Sequence, residues 1–174
     1  SAIFQSCVDL IRDGFDPRPE IMIPLVSSVE EFLNQKNIVK SCHNNIVKES
    51  GLKINYLVGT MIELPRACLI SDKIAKHADF LSFGTNDLTQ TVFGFSRDDV
   101  SDIIQKYMRE KIFTSDPFQT IDVDGVGSLI RIATEKARRV NKNIKIGICG
   151  EHGGDPNSIM FFRSIGLDYV SCSP

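Results

Sequence analysis

The sequence predicts an α/β fold: a partial TIM (β/α)8 barrel, roughly its last five βα units, with parallel strands and outer helices. Three observations carry this. Short apolar runs at 21–23, 54–58, 80–83, 145–148 and 169–172 alternate with helical periodicity, the pattern of a parallel sheet covered by helices. The connections between them are short, apart from one turn-rich stretch at 113–127. Polar residues gather directly after three of the runs, where α/β barrels and open α/β sheets place their sites. A closed barrel needs eight strands and about 250 residues. The 174 residues are therefore expected to form the carboxy-terminal part of one barrel domain (1–174), without its earlier strands and its last helix.

The elements follow in order. Ile3, Phe4, Cys7, Leu10 and Ile11 recur at helical spacing, and Gly14 suits a C-cap. A polar, proline-containing loop at 16–20 leads to the first strand, which ends at Pro24. Ser28-Val29-Glu30-Glu31 is a capping-box pattern and opens a helix running to about Gly51. After the second strand come Gly59 to Glu63, then a helix with Pro65 in its first turn, carrying Ala67, Cys68, Ile70 and Ile74. The third strand ends in Gly84-Thr85-Asn86-Asp87, and a helix is expected to start at Leu88-Thr89-Gln90. A helix at 100–110 precedes the irregular stretch. The helix at 128–140 turns Leu129, Ile130, Ile132, Ala133 and Ala137 inward. The fourth strand ends in Cys149-Gly150-Glu151-His152-Gly153-Gly154-Asp155, Pro156 opens a helix that stops at Gly166, and 169–172 is the last strand.

Composition narrows the function classes. An apolar content of 42% supports a packed core, and a net charge of −2 provides no basic stripe for nucleic acid. No apolar run approaches the ~20 residues of a membrane span, and no secretory leader opens the sequence. Five widely spaced cysteines without a CxxC pair fit a reducing compartment, with neither a disulfide framework nor a zinc site. A cytoplasmic location is expected, and an organellar or glycosomal parent is compatible with it.

Three strand ends carry the chemistry: Glu63, Asp87 and Cys149. In a parallel sheet all three lie on one rim. Glu63 and Asp87 together suit Mg²⁺ or Mn²⁺, with water and substrate oxygens completing the shell; singly, each acid reads as a capping or solvated group. Gly84 can take a positive φ and admits a ligand close to the backbone, while Thr85 and Asn86 add side-chain donors. Cys149 opens a glycine-rich polar loop, so a reactive thiol competes with a small core residue, and both a proton donor and a nucleophile fit. Arg97 suits either a phosphate fork or an ion pair with Asp98 or Asp99. His152 suits orienting Cys149, closing over the site, or no role. His43 and His77 are expected on helix surfaces, and the remaining cysteines in packing. Lys136-Ala137-Arg138-Arg139 is expected to be a solvated helix face.

With those residues laid out, the chain resembles the carboxy-terminal phosphoenolpyruvate (PEP)-binding barrel of the pyruvate, phosphate dikinases. The motifs are GTMIELPRA (59–67), FLSFGTNDLTQ (80–90), FGFSRDD (93–99), SDPF (115–118), GICGEHGGDP (147–156) and GLDYVSCSP (166–174). PEP synthase and the sugar-phosphotransferase enzyme share GTNDLTQ-like and CGE-like segments, whereas GEHGGDP and the stretch around SDPF point to the dikinases. The resemblance implies ATP + phosphate + pyruvate ⇌ AMP + diphosphate + PEP, with a phosphohistidine domain of the same full-length chain as partner. It implies Glu63 and Asp87 as Mg²⁺ ligands, Gly84, Thr85, Asn86 and Arg97 as further substrate contacts, and Cys149 as proton donor and acceptor. A homodimer is expected. A non-catalytic dimerisation module is the competing class.

Overall fold

Ser28 fixes the first long helix. Its hydroxyl accepts the Glu31 N–H at 3.1 Å, and Gly51 closes the far end at φ 70°, giving α2 (Val29–Ser50) as the capping box predicts. The computed structural model describes residues 1–172. Around α2 the order is α1 (Ala2–Arg12), β1 (Glu20–Ile23), then β2 (Leu57–Ile62), α3 (Pro65–Leu69), α4 (Ser71–Ile74), β3 (Phe80–Gly84), α5 (Thr85–Phe93), α6 (Ser101–Arg109), α7 (Val126–Val140), β4 (Lys145–Cys149), a 3₁₀ turn (Glu151–Gly154), α8 (Pro156–Ser164) and β5 (Tyr169–Val170). The strands form one parallel sheet in the order β1-β2-β3-β4-β5. The fold is α/β, and a partial barrel is compatible with it.

Strand alternation divides the sheet into two faces. Val58, Ile62, Leu81, Phe83, Ile146 and Ile148 enter the main core, with Ile74 from α4, Ile130 and Ala133 from α7 and Phe162 from α8. The intervening residues face the other way: Gly59 and Met61, Phe80 and Ser82, Lys145 and Gly147. On that second face Lys145 Nζ reaches both carboxylate oxygens of Glu20, at 3.0 and 3.1 Å. Those residues lie three strands apart, about 14 Å across a flat sheet at ~4.8 Å per strand. Side chains standing perpendicular to a flat sheet would not meet over that span, so this face is concave, as a barrel segment requires.

Several expectations are corrected. The second strand is 57–62, not 54–58: Ile54 is buried in a separate cluster with Phe4, Cys7, Val8 and Ile46, beneath α1 and α2. The expected helix after Pro65 is two short helices broken at Ile70 (φ −113°, ψ 18°), and Ser71 donates its hydroxyl to the Ala133 carbonyl at 2.9 Å. Ile132 is 41% exposed, because the inward stripe of α7 is Val126, Ile130, Ala133 and Ala137. The basic run is only partly solvated: Lys136 pairs with Asp72 at 3.2 Å and Arg138 with Asp168 at 3.0 Å. His43 packs against Phe4 and Tyr56, which also touch each other, and bonds the Ile54 carbonyl at 3.0 Å. His77 lies in the turn after α4. Cys7 and Cys68 are buried and Cys42 is half-buried, but Cys172 is exposed rather than packed.

Gly59 sits in mid-strand for a spatial reason. A Cβ there would collide with the Phe80 carbonyl and ring on the neighbouring strand. Gly59→Ala is expected to cost about 1–3 kcal/mol, the range for overpacking. Urea unfolding reads this directly, and an unchanged midpoint would contradict the packing.

Candidate functional site at the carboxyl ends of β2, β3 and β4

Register builds the site. Ile62 pairs with Phe83, so Glu63 falls beside Gly84, and Gly84 pairs with Cys149. Glu63 and Cys149 therefore flank Gly84 in one row on the concave face. Gly84 has an ordinary backbone (φ −88°, ψ 84°). Its value is space rather than a positive φ: a Cβ would collide with the Glu63 carboxylate and lie 2.9 Å from the Met61 methyl. The positive φ belongs to Gly150 (φ 124°), where a Cβ would lie 2.8 Å from Thr85 Oγ1.

Glu63 is 2% exposed. Its Oε1 accepts the Leu25 N–H at 2.6 Å, and Leu25 holds φ 54°, an uncommon region for a residue with a side chain. Burial pushes the Glu63 carboxyl above its usual range; the Leu25 N–H opposes this, and the nearby Asp87 carboxylate adds to it. The helix begins at Thr85 rather than Leu88, which sets Asp87 in the first turn of α5. Asp87 Oδ1 accepts Gln90 Nε2 at 3.3 Å. Two acids this close in a poorly solvated place call for a proton or a cation between them. Their hard oxygen donors fit a divalent ion such as Mg²⁺. Among the described residues no group of three or more His, Cys, Asp or Glu could hold a metal, so such an ion would draw its other ligands from water or a bound molecule.

Cys149 is half-buried. Its sulfur accepts the Ser82 hydroxyl at 3.4 Å, and its S–H points to the Phe83 carbonyl at 3.6 Å. Burial pushes the thiol pKa up; the Ser82 bond opposes this, and the Glu63 and Asp87 charges reinforce it. The protonated thiol is thus the resting form near neutral pH. Tyr169 lies across Gly147, where a Cβ would collide with its ring, and its hydroxyl donates to the Leu81 carbonyl at 3.4 Å. Burial raises the Tyr169 phenol pKa, and the nearby Ser82 hydroxyl opposes this. Sequence reasoning missed Ser82 and Tyr169. Alternation offered a signal: Ser82 lies two residues before Gly84, on the same face.

The remaining residues divide. Thr85 is fully buried and donates to His152 Nδ1 at 2.7 Å, so its hydroxyl hydrogen is not free for a ligand. Asn86 Oδ1 accepts the Glu151 N–H at 3.4 Å, which leaves its amide N–H₂ to donate. Arg97 pairs with Glu151 at 3.3 Å rather than with Asp98 or Asp99, and its N–H goes to Gln90 Oε1 at 2.7 Å. His152 bonds Thr85 and Pro117, not Cys149. A cleft of about 280 Å³ lined by Gly150, Glu151, Gly154, Ser171 and Cys172 adjoins the row.

The family described as PEP-utilising enzyme, PEP-binding domain matches residues 6–174. Chloroplastic pyruvate, phosphate dikinase of Flaveria bidentis is 54% identical over 173 residues, 99% of this chain and 18% of that protein. Pyruvate, phosphate dikinase 2 of Zea mays is 49% identical over 99% of this chain and 20% of its own length. The chain thus spans about a fifth of these relatives. Among solved structures, citrate synthase SbnG matches with a TM-score of 0.50 at 14% identity, over 99% of this chain and 62% of that one, a likeness of fold alone. No helix among the described residues is long and apolar enough to cross a membrane. With the motifs from residue 59 onward inside the matched region, the chain belongs to the PEP-utilising enzyme PEP-binding domain family.

Proposed function

We propose that this chain is the carboxy-terminal part of the PEP/pyruvate-binding barrel of a pyruvate, phosphate dikinase. In the full-length protein it would interconvert pyruvate and PEP, while a phosphohistidine domain shuttles phosphoryl groups from a nucleotide site. The observation that carries this is the row Glu63–Gly84–Cys149 with Asp87 beside it: two acids and a protonated thiol around one point. The 49–54% identity to dikinases supports it. The parent is proposed to be a homodimer in a reducing compartment, cytosol or plastid; several relatives are named as chloroplastic.

In this reading Glu63 and Asp87 hold Mg²⁺, which when bound neutralises charge developing on the keto oxygen. Cys149 handles the proton. Toward PEP, the thiolate takes H⁺ from the pyruvate methyl carbon, and the enolate oxygen then attacks phosphorus. A P–O bond forms as the P–N bond to histidine breaks. Toward pyruvate, the thiol returns H⁺ to the methylene carbon. Asn86 donates to substrate oxygens. Arg97 leaves Glu151 for the phosphoryl group, because an exposed ion pair contributes only about 0–1 kcal/mol. Phosphoryl transfer then depends mainly on positioning and charge neutralisation. Residues 1–174, which match the PEP-binding domain, are expected not to turn over by themselves.

Cys149→Ala in the full-length parent is expected to lower PEP–pyruvate turnover by about 10²–10⁴-fold, the range for losing a general acid–base group. Retained turnover would sink the assignment. Release of diphosphate by the parent distinguishes a dikinase from a PEP synthase, which releases orthophosphate; transfer to a carrier protein would mark the sugar-phosphotransferase enzyme.

The thiol can also be titrated through its alkylation rate at Cys149, followed by peptide mass spectrometry in metal-free buffer. The Ser82 hydroxyl stabilises the thiolate, so Ser82→Ala moves the midpoint to higher pH. The Asp87 charge disfavours the thiolate, so Asp87→Asn moves it to lower pH. Shifts of the opposite sign would refute the electrostatic picture.

A further inference from the structure

His152 has no part in the chemistry above, yet it is fully buried in the loop after β4. Its ring meets two oxygens: Nε2 lies 2.8 Å from the Pro117 carbonyl and Nδ1 lies 2.7 Å from Thr85 Oγ1. A carbonyl oxygen only accepts, so Nε2 carries the hydrogen and Nδ1 is a bare acceptor. The Thr85 hydroxyl must then donate. Burial lowers the imidazole pKa, in keeping with this single-proton form. Three separate segments meet at the ring: the β4 loop, the β3–α5 corner and the irregular stretch before α7. The neighbouring residues tighten the same joint. Glu151 N–H bonds Asn86 Oδ1, and the Gly150 backbone lies so near Thr85 Oγ1 that a Cβ would stand 2.8 Å away.

We propose that His152 is a positioning residue for the PEP–pyruvate chemistry: by accepting from Thr85 and donating to Pro117, it fixes the Thr85–Asn86 corner beside Asp87. The proposal rests on the dikinase reading. It carries a consequence for recognition. With its hydrogen committed to His152, the Thr85 hydroxyl offers a ligand only lone pairs. Donation at this corner therefore comes from the Asn86 amide and backbone N–H groups.

Two conservative variants of the full-length parent separate the two bonds. His152→Asn keeps an acceptor near the Nδ1 position, and His152→Gln keeps a donor near Nε2. H152Q is expected to lower kcat for PEP–pyruvate turnover by about 10–100-fold, the range for losing a group that orients a site residue. H152N is expected to retain kcat within about tenfold of wild type. T85V removes the shared hydroxyl, so T85V/H152Q should be no slower than T85V. Equal losses in H152N and H152Q that follow their unfolding midpoints would overturn the proposal, as would a double variant losing the full product of the single losses. Should H152Q not fold, H152N decides alone, and a fall beyond about tenfold overturns the proposal. A wild-type parent without PEP–pyruvate turnover would instead overturn the functional reading itself.

Discussion

The parallel register of β2, β3 and β4 is the constraint on which the rest depends. Side chains alternate faces along a strand, so a one-residue slip would carry Glu63 or Cys149 to the helix-covered side. Two things pin the register. Val58, Ile62, Leu81, Phe83, Ile146 and Ile148 must all enter one core. On the opposite face, bulky residues lie over glycines: Phe80 against Gly59, the Glu63 carboxylate against Gly84, and Tyr169 against Gly147. Each glycine leaves room for a neighbour from the next strand. The concave face is thus shaped by the absence of side chains as much as by their presence.

That pairing explains which parts were legible in sequence. Element type and order came through, because apolar runs and helix caps such as Ser28 and Gly51 are local signals. The strand-end positions of Glu63, Asp87 and Cys149 were legible for the same reason: each lies within a few residues of the end of an apolar run. The boundaries of β2 were not, since Gly59 looks like a strand breaker until Phe80 is seen beside it. Long-range partners were also hidden. Arg97 finds Glu151, 54 positions away, rather than the adjacent aspartates, and His152 finds Thr85, 67 positions away. Nothing local distinguishes a histidine held by two buried oxygens from a surface one. Of the two properties for which Gly84 was singled out, the positive φ is not used; the space beside its backbone is, and the Glu63 carboxylate lies against it.

Electrostatics couples the acids to the thiol. Glu63 is held above its usual pKa mainly by burial, and Asp87 adds to the same direction. Both charges also push Cys149 up. The three groups therefore disfavour simultaneous ionisation, and the arrangement has a preferred state of charge. Ser82 is the counterweight on the thiol and Leu25 N–H the counterweight on Glu63. Each contributes one hydrogen bond, too little to cancel burial but enough to keep both groups oriented. Leu25 accepts an uncommon backbone conformation while making that bond, which is how local strain and a functional group come to share one place.

A cation between the acids changes the sign of this coupling. Its charge would outweigh theirs and lower the pKa of Glu63 and of the Cys149 thiol. Without the ion, the Glu63 carboxyl and the Cys149 thiol are both pushed toward their protonated forms. With an ion bound there, Glu63 would ionise more readily and the thiolate would lie within easier reach. In the proposed reaction a proton leaves pyruvate in one direction and returns in the other, so a thiol fixed in either form would serve only one of them. On the proposed reading, the protonation of Cys149 would follow what occupies the two acids. In the proposed mechanism, the row of residues that would hold the substrate's counter-charge also decides which way the proton can move.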